Sequence, residues 1–237
     1  AVVMYNMFSR WIAGYRAPPP AKPDSRWLWY LHGDVTEAQS ATAGRVGVAV
    51  DQYGRMQSML RDSGFIVMYQ RRKANVDPEL YADSVVQQVR GRRAAGVPAA
   101  NISVLGDAKG ALIAMLVSAR LLDRDIRYIV LDGYGRSNLE RYPVQFHGNV
   151  LSIFEKSDTL GGSCAANFRR SMEMGYRKEL PLRTGLAHAN GLHPLEEWIE
   201  PALNWARNGG TGDPKALLDT GSALASSLAD TPYGYLP

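Results

Sequence analysis

The stretch that decides the fold is Asn101-Ile-Ser-Val-Leu-Gly-Asp-Ala108-Lys-Gly-Ala-Leu-Ile-Ala-Met115. Its first half is an apolar run that predicts a buried strand, and its second half begins the i, i+3, i+4 apolar spacing of a helix. Gly106 and Gly110 flank the junction and allow a sharp turn, on which the central residue of the Gly-x-x-x-Gly frame stands exposed. In this chain the central residue is Ala108, which has no nucleophilic atom.

The composition indicates one globular domain. The chain has 237 residues, of which 46% are hydrophobic and 21% charged, and its formal net charge is +4. That length allows one substantial core. The basic clusters at 71–73 and 90–93 adjoin element ends and are typical of a solvated face, so no nucleic-acid partner is expected.

The cysteine count and the lengths of the apolar runs bear on the compartment and on membrane association. A single cysteine, Cys164, excludes an intrachain disulfide, which slightly favours a cytoplasmic location. No apolar run approaches the roughly 18 residues that a membrane span needs. No signal peptide is expected, and removal of a leader before Ala1 stays open, as does the oligomeric state.

Strand and helix patterns alternate along the chain. Apolar runs predict strands at 27–31, 65–69, 102–105, 126–131, 150–154 and 180–182. Periodic spacing and capping residues predict helices at 51–62, 77–95 and 195–206, in addition to the helix after Gly110. This alternation predicts a largely parallel sheet covered by helices on both faces, with ligands bound beyond the carboxyl ends of the strands.

Breaks in the pattern divide the chain. Prolines at 18–20 and 23 interrupt any regular element, so residues 1–25 are predicted to be an N-terminal extension and linker. Residues 26–208 are predicted to form the domain. Residues 209–237, rich in Gly, Ala, Ser and Asp, are predicted to be a C-terminal extension with one short helix.

Three residues are candidates for acyl-transfer chemistry, which needs a nucleophile, a base and an acid that orients the base. Ala108 stands at the nucleophile position, Asp158 follows the strand at 150–154, and His188 follows the strand at 180–182. A carboxylate just past a strand end can reach an imidazole nitrogen. The alternatives are that Asp158 is only a turn residue and that His193 takes the place of His188.

Donors for an oxyanion are expected at two turns. His32-Gly33-Asp34 directly follows the first strand, where a backbone N–H can face the reacting carbonyl. The second donor is the backbone N–H of Lys109, at a helix N-terminus that favours developing negative charge. We therefore treat His32, Gly33, Asp34 and Lys109 as candidate oxyanion and substrate-binding residues, with a plain tight turn as the alternative for His32-Gly33.

Together these motifs resemble the α/β-hydrolase superfamily, and within it a compact bacterial dienelactone-hydrolase-like or esterase-like branch. The resemblance covers about residues 26–207 and rests on Leu-His-Gly, Gly-Asp-Ala-Lys-Gly, Ser-Asp-x-x-Gly-Gly-Ser-Cys and Thr-Gly-Leu-x-His. It implies a three-layer α/β fold with the chain order nucleophile, acid, histidine. Relatives of this kind read Gly-x-Ser-Lys-Gly at the elbow, so this chain departs at Ala108. Only about 15 residues separate the strands where a lid is often inserted, which implies little or no lid.

The resulting hypothesis is a serine-hydrolase-type ester or acyl hydrolase that a Ser→Ala change at position 108, made by design, has inactivated. Its substrate would be a small-molecule ester. The alternatives are a natural pseudoenzyme or ligand-binding protein on the same fold, and a non-hydrolytic acid–base catalyst that uses His188 and Asp158. Asp107 and Cys164 are weaker nucleophile candidates, because one is out of register and the other lies on a different loop.

No cofactor or metal is expected. Dinucleotide and Walker phosphate motifs are absent, and the four histidines lack the spacing of metal ligands. Aromatic residues are candidates to line a cleft for an apolar acyl or aryl group: Trp27, Trp29, Tyr53 and Tyr134.

Overall fold

The computed structural model describes residues 24–40, 48–133, 141–213 and 217–218. Its centre is a seven-stranded sheet in the order β2-β1-β3-β4-β5-β6-β7, in which only the β6–β7 pair is antiparallel. The strands are β1 Arg26–Leu31, β2 Phe65–Tyr69, β3 Ile102–Asp107, β4 Arg127–Leu131, β5 His147–Glu155, β6 Glu173–Leu182 and β7 Leu217–Leu218.

Within the described residues, helices lie in the connections β1–β2, β2–β3, β3–β4 and β5–β6, as is usual between parallel strands. The helices within the described residues are α1 Asp34–Ser40, α2 Val48–Asp62, α3 Pro78–Ala94, α4 Lys109–Leu121, α5 Ala165–Arg170 and α6 Glu196–Asn208. Two 3-10 turns, Ala99–Asn101 and Ala187–Leu192, precede β3 and α6. None of these helices combines the length and apolar character that crossing a membrane requires.

Two hydrophobic cores lie on opposite faces of the sheet, because side chains alternate along each strand. Trp27 and Trp29 point into the core formed with α3 and α4, whereas Leu28 and Tyr30 point into the core formed with α2 and α6. The result is the predicted three-layer α/β architecture. Trp27 and Trp29 are almost fully buried, so the expectation that they line a cleft is wrong.

Local sequence explains two of the helices. Asp77 caps α3 by accepting from the backbone N–H groups of Glu79 and Leu80 at 2.8 and 3.0 Å, and Pro78 occupies the first turn, as predicted. Helix α4 has nine consecutive buried residues, 110–118, because it packs between the sheet and α3. Its apolar run is therefore continuous.

Several elements differ from the prediction. The predicted strand at 180–182 begins earlier, at Glu173, because the first half of β6 reads Glu-Met-Gly-Tyr-Arg and so lacks an apolar run. Helices α1 and α5 are too short to give a periodic signal. Residues 1–23, 41–47, 134–140, 214–216 and 219–237 lie outside the described residues. These segments include Tyr134, part of the expected lid position and most of both extensions, so the predicted domain limits stay predictions.

Candidate active site

The elbow between β3 and α4 has the geometry expected of a Gly-x-x-x-Gly turn. Ala108 lies between the two elements with φ 49° and ψ −113°, a conformation that costs a residue with a Cβ about 1–3 kcal/mol. Its backbone N–H donates to Leu131 O at the end of β4, at 3.1 Å. A Cβ on Gly110 would overlap the carbonyl group of Leu31, so glycine is required there for α4 to pack against β1.

The predicted pairing of Asp158 with His188 is present. Asp158 Oδ2 lies 2.7 Å from His188 Nδ1; the Asp158 side chain is fully buried and the His188 side chain is 19% exposed. Although burial acts to raise it, hydrogen bonds from the Gly161 N–H, the His188 ring and the Leu160 N–H hold the pKa of Asp158 below its usual value. An ionised carboxylate at this distance fixes the proton on Nδ1 and leaves Nε2 free to act as a base. His193 is exposed on the surface and does not take this place.

The turn after β1 lies directly against the elbow. A Cβ built on Gly33 would be 3.4 Å from the Ala108 Cβ and 3.0 Å from Asp107 Oδ2. The Gly33 N–H donates to the Asp107 carboxyl group, so it is already engaged. The neighbouring residue, Asp34, is exposed at the start of α1, and Lys109 begins α4. Their two backbone N–H groups are therefore the better candidates for oxyanion donors.

The His32 side chain is structural. It is 1% exposed, its Nε2 accepts from the Arg72 backbone N–H at 2.9 Å, and its Nδ1 lies 2.8 Å from Gly33 O. Burial, together with the nearby Arg72 guanidinium, lowers the pKa of His32 to about 3, so the ring is neutral with its proton on Nδ1. The ring holds the turn in shape and is not placed to contact a substrate, which corrects the sequence-based assignment.

A buried ionic network joins this turn to the elbow helix. Glu37 accepts from Lys109 Nζ at 2.7 Å and from Arg72 Nε at 2.6 Å, and Arg72 Nη2 donates to His32 O. The side chains of Glu37 and Arg72 are 3% and 0% exposed. Sequence analysis missed Glu37 and assigned Arg72 to a solvated basic cluster; only the lysine of the elbow hinted at an anionic partner.

The two weaker nucleophile candidates are both buried. Burial, and then the negative charge of Asp132, raise the pKa of Asp107 well above its usual value, which disfavours its carboxylate form. Burial also raises the pKa of the Cys164 thiol, to about 12. Both shifts oppose the charged form that would attack a carbonyl, and both side chains are buried, so neither group suits the role of nucleophile.

A cleft of about 460 Å³ opens beside the elbow. Asp34 and Lys109 line it together with apolar side chains that include Val35, Ala38 and Leu112. A larger cavity, of about 670 Å³, lies between β6 and α6, and none of the candidate site residues lines it. Asp34 and Lys109 line the smaller cleft but Ala108, Asp158 and His188 do not, so that cleft adjoins the elbow through the turn after β1 and the start of α4. Tyr53 is 5% exposed and packs on the His32 ring, away from solvent.

Across the described ranges of the chain, no group of three or more His, Cys, Asp or Glu side chains is arranged to hold a metal ion.

No protein-family model matches the chain, and no curated protein matches its sequence. Solved structures do match. A protein of unknown function from Agrobacterium tumefaciens, described as a candidate α/β hydrolase, has a TM-score of 0.52 at 14% identity, with 80% of this chain and 90% of that chain covered. A thermophilic esterase from the planctomycete Thermogutta terrifontis, solved with butyrate bound, has a TM-score of 0.51 at 16% identity, with 83% and 87% covered. One of two fungal esterases from Rhizomucor miehei has a TM-score of 0.51 at 11% identity, with 82% and 77% covered.

Identities this low establish the fold alone. The parallel sheet, the strand order and the elbow between β3 and α4 agree with that assignment. The chain therefore has the α/β-hydrolase fold.

Proposed function

We propose that this chain carries the site of a serine-hydrolase-type ester hydrolase in which Ala108 occupies the position of the nucleophile. In this form the chain binds an ester and does not cleave it. The observation that carries the proposal is the strained, tightly packed elbow on the same sheet edge as a buried, hydrogen-bonded Asp158–His188 pair.

Each residue has a defined role in the proposed reaction. With a hydroxyl at position 108, His188 Nε2 takes the hydroxyl proton as the oxygen attacks the ester carbonyl, and Asp158 stabilises the imidazolium that forms. The N–H groups of Asp34 and Lys109 donate to the oxyanion of the tetrahedral intermediate. His188 then protonates the leaving alcohol, which departs and leaves the acyl group bonded to the oxygen of residue 108. Water attacks this acyl group while His188 takes its proton, and the acid is released as His188 returns the proton to the oxygen of residue 108.

The cleft supports an uncharged acyl or aryl group as the part of the substrate that is recognised. Val35, Ala38 and Leu112 give it apolar walls. Its one cationic side chain among the described lining residues, Lys109, is ion-paired with buried Glu37, so it offers no unpaired positive charge to a substrate carboxylate. The exposed carboxylate of Asp34, also in the lining, adds negative charge, which disfavours an anionic ester.

The alanine itself is best explained as the replacement of a serine. A buried carboxylate–imidazole pair and a strained turn both cost stability, and a chain that made no catalytic use of them would have no reason to keep them. A change of serine to alanine removes one oxygen atom, so it abolishes attack while leaving the shape of the cleft unchanged. We attribute the change to design.

The test is to make Ala108→Ser and assay neutral short-chain aryl and alkyl esters. We expect the turnover number to rise at least about 10³-fold, because loss of a triad serine costs more than this in a well-studied protease. The double variant Ala108→Ser/His188→Ala should lose the gain. A folded Ala108→Ser protein that hydrolyses no ester, lactone or thioester would overturn the proposal and favour a ligand-binding protein.

A further inference from the structure

A second buried carboxylate lies beneath the turn that carries His188. Asp132 directly follows β4, is fully buried and has a positive φ of 49°, which is unusual for a residue other than glycine. It accepts from the backbone N–H of Asn190 at 3.2 Å and from Asn190 Nδ2 at 3.1 Å. Asn190 belongs to the 3-10 turn Ala187–Leu192 and lies two residues after His188.

Asn190 connects this carboxylate to the rest of the turn. Its side chain is fully buried, its Nδ2 also donates to Ala187 O at 3.2 Å, and its Oδ1 lies 2.7 Å from Thr184 Oγ1. Thr184 Oγ1 is in turn 2.8 Å from Oε2 of Glu155, at the end of β5. The amide therefore links the ends of three neighbouring strands to the residues on either side of His188.

The elbow contacts the same turn at the next residue. A Cβ on Gly191 would overlap the Asp107 carboxyl group, so only glycine allows the turn to approach the elbow this closely. Asp107 and Asp132 thus contact two successive residues of the turn, one from each of two adjacent strands. Small displacements of the turn would move the His188 ring relative to both Asp158 and position 108.

We propose that Asp132 and Asn190 form a positioning pair that holds the His188 ring in the geometry needed to serve position 108. The inference rests on the proposed function, since that function gives His188 its role as base. Asp132 is not itself catalytic: its carboxylate is occupied by Asn190 and acts on the reaction only through the turn. Misplacement of a reacting group by about 1 Å can cost roughly 10²-fold in rate, which sets the expected size of the effect.

The pair can be tested by exchanging its members. Asn190→Asp places two carboxylates about 3 Å apart in a buried site, where like charges repel strongly. Asp132→Asn/Asn190→Asp restores one amide donor facing one carboxylate acceptor. In the Ala108→Ser background we expect Asn190→Asp to lower kcat at least about 30-fold, with KM changed less than threefold, and the exchange to recover at least tenfold of kcat.

A matched control and a second readout separate positioning from general damage. Asn204→Asp changes an exposed asparagine on α6 in the same way and should leave kcat within twofold. In the Ala108 chain itself, which needs no turnover, the Nδ1 proton of His188 should give a slowly exchanging NMR signal that Asn190→Asp abolishes and the exchange restores. This measurement tests the pair even if Ala108→Ser proves inactive, and in that case only the proposed function fails.

The inference is overturned if folded Asn190→Asp keeps both its kcat and the His188 Nδ1 proton signal, or if the exchange recovers neither. Should Asn190→Asp fail to fold, Asp132→Asn carries the test, because it is isosteric and adds no charge. There we expect kcat to fall about tenfold with KM unchanged, and a kcat within twofold of the parent overturns the inference.

Discussion

Replacing Glu37 by glutamine should destabilise the fold far more than its position on a short surface helix suggests. Gln has nearly the same shape as Glu, so Glu37→Gln removes a charge without opening a cavity. It leaves the Arg72 guanidinium, whose side chain is 0% exposed, without a charged partner at 2.6 Å, and it weakens the pairing of Lys109, whose side chain is 12% exposed.

Removing one partner of a buried ion pair costs about 3–5 kcal/mol. For a domain of this size each kcal/mol lowers the melting temperature by about 2–4 °C, so Glu37→Gln should lower it by about 6–20 °C. Urea unfolding followed by circular dichroism measures the free energy directly. Asp83→Asn is the control, because Asp83 pairs with Arg120 at 2.9 Å on the surface with its side chain 61% exposed, and such pairs contribute about 0.2–1 kcal/mol. If Glu37→Gln unfolds within about 1 kcal/mol of the parent chain, the network does not hold the turn as argued.

Two further predictions concern buried titratable groups. Burial raises the pKa of Asp132 from 3.8 to about 6, so the folded protein binds more protons than the unfolded chain between about pH 4 and 6, and the free energy of unfolding should fall by about 3 kcal/mol as pH rises through that window. Asp132→Asn should remove this fall, and urea unfolding from pH 4 to 7 measures the free energy of unfolding of both proteins. If that free energy changes with pH equally in parent and variant, the prediction is contradicted. Cys164, with its pKa raised to about 12 by burial, should resist iodoacetamide at pH 8 in the native protein and react after denaturation, and rapid native alkylation seen by mass spectrometry would refute its burial.

The features that could be predicted from sequence are those that depend on local patterns of residues. The elbow needs two glycines at fixed spacing between an apolar strand and an apolar helix, and all of that lies within 15 residues. Asp158 and His188 are 30 residues apart, yet each lies in the loop that follows a strand, three residues after β5 and six residues after β6. Parallel strands bring their carboxyl ends to one edge of the sheet, so the pair could be expected before the structure was known.

The features that could not be predicted depend on partners distant in sequence. Arg72 and Lys109 bind Glu37 from 35 and 72 residues away, and nothing in the local pattern distinguishes buried Arg72 from its exposed neighbour Arg71. Asp132 and Asn190 are 58 residues apart and polar, so the spacing of apolar residues does not identify them.

The expectation that Trp27 and Trp29 line a cleft is wrong because the residue type alone does not distinguish a cleft from a core. Aromatic residues suit ligand clefts and hydrophobic cores equally well, and here the strand alternation places both in the core against α3 and α4. Their side-chain direction follows from the pairing of β1 with both β2 and β3, which only the fold reveals.

The central claim is that position 108 is the nucleophile position of an ester hydrolase. The most direct measurement is the intact mass of Ala108→Ser after treatment with a fluorophosphonate, which bonds to an activated serine oxygen and releases fluoride. The account predicts one adduct per chain, on the peptide that contains position 108, with none on the parent chain and a much slower reaction in Ala108→Ser/His188→Ala. A folded Ala108→Ser protein that forms no adduct, or forms it equally fast without His188, would contradict the account.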